Sequence, residues 1–382
     1  MATYYVDGSI VSASGSGSGT IGDPWGKTDD LIQYALVQIA AGAGAGAQGD
    51  TIIVLAGTLT NTAQLDPTVW LAGNGSGARP LWIKAVNPEL LIDWNMGATN
   101  MIVYPYQGVH WAGFRFYNFK ENGTSYPFTM FRYHTIADCI FDGYATPHWG
   151  LFGGNVSCAI IGCAVINDNR YNGTSSHRGY QFSMSNGIVY GNYFESTSSA
   201  GTAGYSHGTG AAHVEGNIYY DTCSYVNGLC VPTQGARFSR NTFYNGSTAA
   251  PCILTPSNYN NSFLIANNYF EGWTDAIKSS SGRLSIGRVC GNKGFNNSAL
   301  VGASLIENDN TAYWKNDSLA ESALIDPANK DFRPKSALVG AGFDSMALNY
   351  PNGGGGVRPN VGAVEGFDPN PFLSQYNPFG GS

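Results

Sequence analysis

Charge is what this chain has least of. Asp, Glu, Lys and Arg make up 12% of its 382 residues, and 26 acids against 19 bases leave a formal net charge of −7. No Lys/Arg cluster occurs, so the electrostatic footprint of a nucleic-acid binder is missing and no nucleic-acid partner is expected. No apolar run approaches membrane-spanning length, so no membrane insertion is expected. The start, Met1-Ala-Thr-Tyr-Tyr-Val-Asp, has no basic n-region and no apolar h-region, so no standard secretion signal is expected either. The seven cysteines (Cys139, Cys158, Cys163, Cys223, Cys230, Cys252 and Cys290) include no CxxC pair, and their odd count argues against a disulfide framework and a zinc knuckle. They read as reduced and mostly buried, in a protein that folds in a cytoplasm. The six histidines lack HExxH or paired-ligand spacing, and no metal site is expected from them.

What is plentiful is glycine, with 51 residues, and a 43% share of hydrophobic residues that includes 13% aromatics. Such a chain is globular, turn-rich and poor in helix. Its middle repeats a short phrase of Asn, a variable residue, then an aromatic: Asn192-Tyr-Phe-Glu, Asn217-Ile-Tyr-Tyr-Asp, Asn241-Thr-Phe-Tyr-Asn and Asn268-Tyr-Phe-Glu, with the asparagines 25, 24 and 27 residues apart. The register extends backwards through Cys163 and Cys139 to Phe114 and forwards to Asn292. A period in the twenties, made of short β-like runs and Gly/Asn turns, suits one coil of a β-solenoid with three short strands. Asn tolerates the left-handed conformation at a bend, and stacked amides hydrogen-bond from rung to rung. The repeated Asn is therefore expected to be a turn ladder, with Cys139 and Cys163 as small buried substitutes in it.

The ends add detail. Residues 29–40 place Leu31, Ile32, Ala35, Leu36 and Ile39 on one face, with Thr28 able to cap and acids in the first turn. This predicts one amphipathic helix plugging the open end of the first coil. The runs Gly49-Asp50-Thr-Ile-Ile-Val-Leu-Ala-Gly57, Pro80-Leu-Trp-Ile-Lys-Ala and Leu90-Leu-Ile-Asp read as the first coils.

The opening Tyr4-Tyr-Val-Asp-Gly, the Asp23-Pro-Trp segment, the Gly49-Asp50-Thr-Ile strand and the Asn-x-aromatic coils resemble the pectate-lyase-like superfamily of right-handed parallel β-helix proteins. So do two C-terminal phrases, Asp326-Pro-Ala-Asn-Lys-Asp-Phe-Arg-Pro-Lys-Ser-Ala-Leu-Val-Gly-Ala-Gly342 and Pro359-Asn-Val-Gly-Ala-Val-Glu365. The resemblance spans residues 3–366. It implies an all-β, single-stranded right-handed parallel β-helix, a pectin-lyase-like solenoid, with an N-terminal capping helix and an extended C-terminal tail. Residues 1–48 would form the first strand, a Gly/Ser loop and the helix; 49–320 the coils; 321–366 the C-terminal end of the β-helix; 367–382 a Pro/Phe tail. Function follows weakly, because members include lyases, hydrolases, epimerases, phage tailspikes and non-catalytic virion proteins.

Several residue sets carry candidate chemistry. Gly17-Ser-Gly19-Thr-Ile-Gly22 matches GxGxxG, but Asp23-Pro24 interrupts it before the helix and no alternating strand/helix units follow, so a flexible Gly/Ser loop is expected. A column of acids follows the aromatic pairs: Asp142, Asp168, Glu195, Asp221 and Glu271. Equivalent residues on adjacent coils lie about 5 Å apart. Glu195 and Asp221 are accordingly the candidate catalytic pair, as acid and base on a glycosidic bond or as part of an oxygen-rich Ca²⁺ site in a lyase. Arg115, Arg170, Arg178, Arg237 and Arg240 are the available lyase bases. The competing reading is solvated acids at turn edges.

His148, His177 and His207 recur near the coil period in loop-like sequence. The surrounding segments could wall a groove, which makes Trp149, Tyr171, His177, Arg178, Tyr180, Tyr205 and His207 the candidate ligand-binding residues, with Trp273 as a further surface aromatic. The tail repeats Asn-Pro-Phe, so Pro371, Phe372, Tyr376, Pro378 and Phe379 are either disordered or a docking arm for another subunit or protein.

Two functions from different classes stay open. One is a structural virion or appendage protein, of the phage decoration, fibre or spike type, made in the cytoplasm and released outside. Its partners would be other virion proteins or identical subunits, as in a homotrimer, and cell-surface polysaccharide. The other is a polysaccharide lyase or glycoside hydrolase acting on an acidic polysaccharide in a groove along the β-helix. No cofactor is expected, with Ca²⁺ the exception for a lyase.

Overall fold

The computed structural model describes residues 2–43, 50–63, 81–87, 90–97, 101–103, 108–119, 128–132, 134–142, 152–156, 158–166, 182–185, 187–196, 205–206, 213–221, 230–231, 236–246, 251–255, 263–279, 288–302 and 316–338. They form an all-β parallel β-solenoid, as the repeat predicts. Two compact units make it up, Met1–Asn169 with Tyr180–Met184, and Arg170–Gly179 with Ser185–Ser382. No helix among the described residues is long and apolar enough to cross a membrane.

In the first unit the first strands of successive coils are Thr3–Gly8, Thr51–Gly57, Leu81–Ala85, Val109–Ala112, Thr135–Ala137 and Ala159–Ile161, each parallel to the next. The second strands are Leu59–Thr60, Ile92–Asn95, Phe114–Tyr117, Ile140–Asp142 and Ala164–Ile166. The third are Met101–Val103, Phe128–Arg132 and Phe152–Val156. Side chains alternate between the two faces of a strand, so Ile52, Ile83, Trp111, Ile136 and Ile160 stack inward in one column and Trp94, Phe116, Phe141 and Val165 in another. These are β-branched and aromatic side chains, the types that pack best on a pleated surface.

The helix runs Leu31–Ala43, and the predicted face of Leu31, Ile32, Ala35, Leu36 and Ile39 is buried. Its start differs from expectation. The Asp30 carbonyl accepts the first helical N–H, that of Tyr34, so Asp30 rather than Thr28 holds the cap position, and no acid lies in the first turn. Asp30, left-handed at φ 53°, precedes the helix, and its carboxylate accepts from Thr62 N, Thr62 Oγ1 and Ala63 N at 2.8, 2.5 and 3.2 Å. The acid thus ties the helix to the next coil rather than serving the helix dipole.

The Gly/Ser loop is also a packed element, contrary to the flexible loop expected. Ser16 pairs with Gly26, and Gly19 accepts from Tyr5 N. A Cβ at Gly17 would stand 2.1 Å from the Pro24 carbonyl oxygen, and one at Gly19 2.7 Å from the Trp25 ring, so close approach selects these glycines.

In the second unit the first strands are Ile188–Tyr190, His213–Glu215, Arg237–Ser239, Leu264–Ala266 and Arg288–Cys290. The second are Tyr193–Ser196, Ile218–Asp221, Thr242–Asn245, Tyr269–Glu271, Lys293–Phe295 and Asp317–Ser318. The third are Tyr205–Ser206, Cys230–Val231, Ile253–Thr255, Asp275–Ser279 and Ala299–Val301. Inside the second column Phe194, Tyr219, Phe243 and Phe270 stack at 5.0, 4.7 and 5.0 Å between ring centroids, close to the spacing of the strands that carry them.

The asparagine ladder is present and longer than the phrase suggests. Asn192, Asn217, Asn241, Asn268 and Asn292 each donate through Nδ2 to the Oδ1 of the next, and Asn292 to Asn316, over 2.8 to 3.0 Å. Each of these Oδ1 atoms also accepts the backbone N–H of the preceding rung, and from Asn217 onward the second Nδ2 proton goes to a backbone carbonyl, such as that of Val214 for Asn241. An interior rung therefore uses both donors and both acceptor sites of its amide. The left-handed residue is not the Asn, as expected, but the one before it: Gly191, Gly216, Arg240, Asn267 and Gly291.

In the first unit Phe114, Cys139 and Cys163 follow left-handed Gly113, Asp138 and Gly162. The Cys163 thiol points to the carbonyls of Ile161 and Ile136 at 3.4 and 3.5 Å, mirroring Asn217, whose amide reaches those of Glu215 and Val189. Cys139, Cys158, Cys163, Cys252 and Cys290 are buried thiols outside any disulfide. Burial, and next the adjoining Cys139, push the Cys163 thiol well above the usual thiol range, which leaves it a poor nucleophile.

A second corner device lies where third strands turn into first strands. His134, fully buried, accepts the Val109 N–H through Nδ1 at 2.9 Å. Burial lowers its pKa from 6.5 to about 4. A group held neutral in this way contributes stability that is complete above pH 6.5 and is lost as pH falls through about 4. The full loss amounts to about 3 kcal/mol at roughly 1.4 kcal/mol per pKa unit. Urea unfolding of the wild type and His134→Asn at pH 7 and pH 4 is expected to show a pH-dependent deficit in the wild type that the variant lacks; equal acid sensitivity would show that His134 is not its source.

Candidate functional site

Asp142, Glu195, Asp221 and Glu271 all lie on second strands. Register pairs Glu195 with Tyr220, Tyr220 with Tyr244, and Tyr244 with Glu271, while Asp221 pairs with Ser196 and Asn245. Glu195 and Asp221 are thus one residue out of step, at positions facing opposite sides of the sheet, and do not form the expected pair of equivalent positions. Glu195 and Glu271 share a row instead, three strands apart.

Both are buried, Glu195 at 5% and Glu271 at 7% exposure, because the C-terminal segment folds over this row. Leu324–Asp326 and Asp331–Pro334 pair antiparallel around a 3₁₀ turn, Pro327–Asn329, that Lys330 closes in a left-handed conformation. We call residues 322–334 the strap. Lys330 Nζ donates to both oxygens of Glu195 at 3.0 and 2.9 Å and lies 5.7 Å from the centre of the Tyr220 ring. Phe332 inserts among Tyr193, Tyr220 and Tyr244, with ring centroids 6.2, 5.9 and 6.2 Å away. At the strap's other end Ser322 Oγ donates to Glu271 Oε2 at 2.8 Å, and Ala323 N donates to Tyr269 Oη at 3.0 Å.

The two acids belong to identical Tyr-Phe-Glu phrases and behave alike. Tyr193 Oη donates to Glu195 at 3.1 Å, and Tyr269 Oη to Glu271 at 2.7 Å. Burial, and next in size the Glu195 carboxylate, hold the Tyr193 phenol well above its ordinary pKa; burial leads at Tyr269 too, so both stay donors. Tyr and Glu point to one face because they are two residues apart, while the Phe between them enters the core. The acids are anchors for the strap, neither solvated at an edge nor open to a groove.

On the first unit's second strands a separate polar cluster is only partly covered. Arg115 binds Asp142 through Nε at 2.9 Å and through Nη2, and reaches Asp93 through Nη1 at 3.4 Å. Its guanidinium also lies 5.6 Å from the Tyr117 ring centre. Of the other arginines considered as bases, Arg240 pairs with Glu215 and Arg237 is exposed. Among the described residues no group of three or more His, Cys, Asp or Glu could hold a metal ion.

Trp273 is not a surface aromatic. It is buried at 1% exposure, with Nε1 donating to the Phe243 carbonyl at 3.2 Å. Outward aromatics that sequence reading missed include Tyr190 and Trp82, the latter on the outer face of a first strand and stacked on His110 with 4.1 Å between ring centroids. The alternation Leu81-Trp82-Ile83-Lys84-Ala85 already marks it as outward.

Trp149, Tyr171, His177, Arg178, Tyr180 and His207, with His148, Asp168 and Arg170, lie outside the described residues, as do Pro371, Phe372, Tyr376, Pro378 and Phe379. Asp221 and Tyr205 are described by their backbone alone.

No protein-family model and no curated protein matches this chain. Among solved structures, that of the pectate lyase Pel9A aligns over 96% of both chains with 13% identity and a TM-score of 0.44.

Proposed function

We propose that the protein is a non-catalytic β-helix scaffold of a virion or surface appendage, which binds cell-surface glycans on its outer face. One observation supports the non-catalytic part of this reading: Glu195 and Glu271, the acids considered for sugar chemistry, are buried under the strap and engaged by Lys330, Ser322 and their own tyrosines. Hydrolysis of a glycosidic bond in its usual form needs two carboxyl groups about 5 to 9.5 Å apart that reach one substrate. Three strand spacings put the backbone positions of Glu195 and Glu271 about 14 Å apart, with Tyr220 and Tyr244 between them. Attachment to identical subunits or other particle proteins falls to residues 367–382 in this reading.

Purified protein incubated with acidic and neutral bacterial polysaccharides is expected to release neither reducing ends nor unsaturated uronates, while co-sedimenting with at least one of them. Depolymerisation that disappears in Glu195→Gln would overturn the proposal and return the protein to the lyases or hydrolases.

A further inference from the structure

Trp82 stands apart from the other described tryptophans. It is 43% exposed, whereas Trp25, Trp94, Trp111 and Trp273 are at 6% or less. Its strand alternates buried and exposed residues, so Lys84 shares the outer face with it. Parallel register sets Thr51 on one side of Trp82 and His110 on the other, with Thr135 one strand further on. The His110 ring covers one face of the indole, inclined by 21°. That contact fixes the ring on a strand paired on both sides and leaves its second face toward the short side chain of Thr51.

From this arrangement we propose that Trp82 is the stacking platform of a sugar site on the outer face of the first unit, taking a neutral hexopyranose. The unbroken C–H face of the sugar lies on the indole, while Lys84 and Thr51 donate hydrogen bonds to its hydroxyl rim. The inference rests on the glycan-binding reading above and narrows it to one site and one class of sugar. A pyranose has an apolar face and a polar edge, and the surface offers a fixed apolar plate with polar neighbours in the same order. A nucleobase would stack equally well, but its phosphates would meet a chain of net charge −7 with no basic cluster. An apolar protein partner would need a contiguous patch; Val86 is exposed further along the same segment, but Lys84 stands between it and Trp82, and Thr51 and His110 flank the ring.

The test uses the full chain on an array of β-linked gluco-, galacto- and manno-oligosaccharides together with uronate-containing ones. Wild type is expected to bind neutral members. Trp82→Ala should weaken that binding about tenfold or more, and Trp82→Phe, which keeps a plate, should restore most of it. Lys84→Ala should cost less than Trp82→Ala. Thermal melting serves as the fold control, since an outward side chain should barely move it. Undiminished binding by Trp82→Ala overturns the site and leaves the glycan-binding reading standing. Binding confined to uronates overturns the neutral class, and no binding by wild type overturns both the site and that reading.

Discussion

Asn241→Leu is expected to cost about 4 kcal/mol of stability. Leucine removes the Oδ1 that receives both the backbone N–H and an Nδ2 proton of Asn217, and removes the Nδ2 that serves Asn268 Oδ1 and the Val214 carbonyl. A buried donor without an acceptor costs about 1 to 3 kcal/mol, and two are created. Asn241→Asp separates this account from simple loss of packing. Its carboxylate keeps the acceptor for Asn217 but points an oxygen at Asn268 Oδ1 and buries a charge in a fully buried rung. Burial raises the pKa of the new acid above the unfolded value, so its stability is retained at low pH and lost as pH rises. The deficit of Asn241→Asp relative to wild type should therefore shrink on acidification, and that of Asn241→Leu should not. Denaturant midpoints at two pH values read both effects. A loss below about 1 kcal/mol for Asn241→Leu would mean that the amides are passengers in the stack.

The second large effect is expected at the strap. Lys330→Met leaves the Glu195 carboxylate buried beside Tyr193 without its cation. Breaking a fully buried ion pair costs about 3 to 5 kcal/mol; with the Lys330 side chain 43% exposed, about 2 kcal/mol is expected. Adding Glu195→Gln to Lys330→Met should restore much of the loss, because the neutral amide removes the uncompensated charge and still accepts from Tyr193. Phe332→Ala should cost about 3 kcal/mol by withdrawing the ring packed among three tyrosines. A double-mutant cycle of Lys330 and Glu195 with coupling below about 0.5 kcal/mol would remove the pair as a clamp.

The coil and its ladder were legible in sequence because a ladder demands the same residue at the same place in every turn. Asn316 escaped notice although it lies 24 residues after Asn292, because Asp317-Ser318 lacks the aromatic that marked the other rungs. The left-handed corner is glycine at 191, 216 and 291 but Arg240 and Asn267 in between, so no single residue type advertised it. Glu195 and Asp221 stand at different distances from their ladder asparagines, three residues after Asn192 and four after Asn217. Counting three residues from each ladder Asn gives Glu195, Tyr220, Tyr244 and Glu271, which is the register observed. The strap was not legible in this way. Lys330 meets Glu195 across 135 residues of chain, and no periodicity links a rung to a segment that leaves the repeat. Acids that looked like catalytic candidates were such because buried anchors and reactive groups draw on the same residue types.

Ladder and strap differ in what they ask of coil number. Every interior rung presents the same amide to both sides, so removal of residues 217–240 would let Asn192 meet Asn241 with the bonds it now makes to Asn217. The stack by itself accepts insertion or loss of whole coils. The strap does not, since Ser322 must reach Glu271 while Lys330 reaches Glu195. It works as a gauge, admitting one count of coils between its two anchors and leaving chains with a coil gained or lost there unlatched at one end.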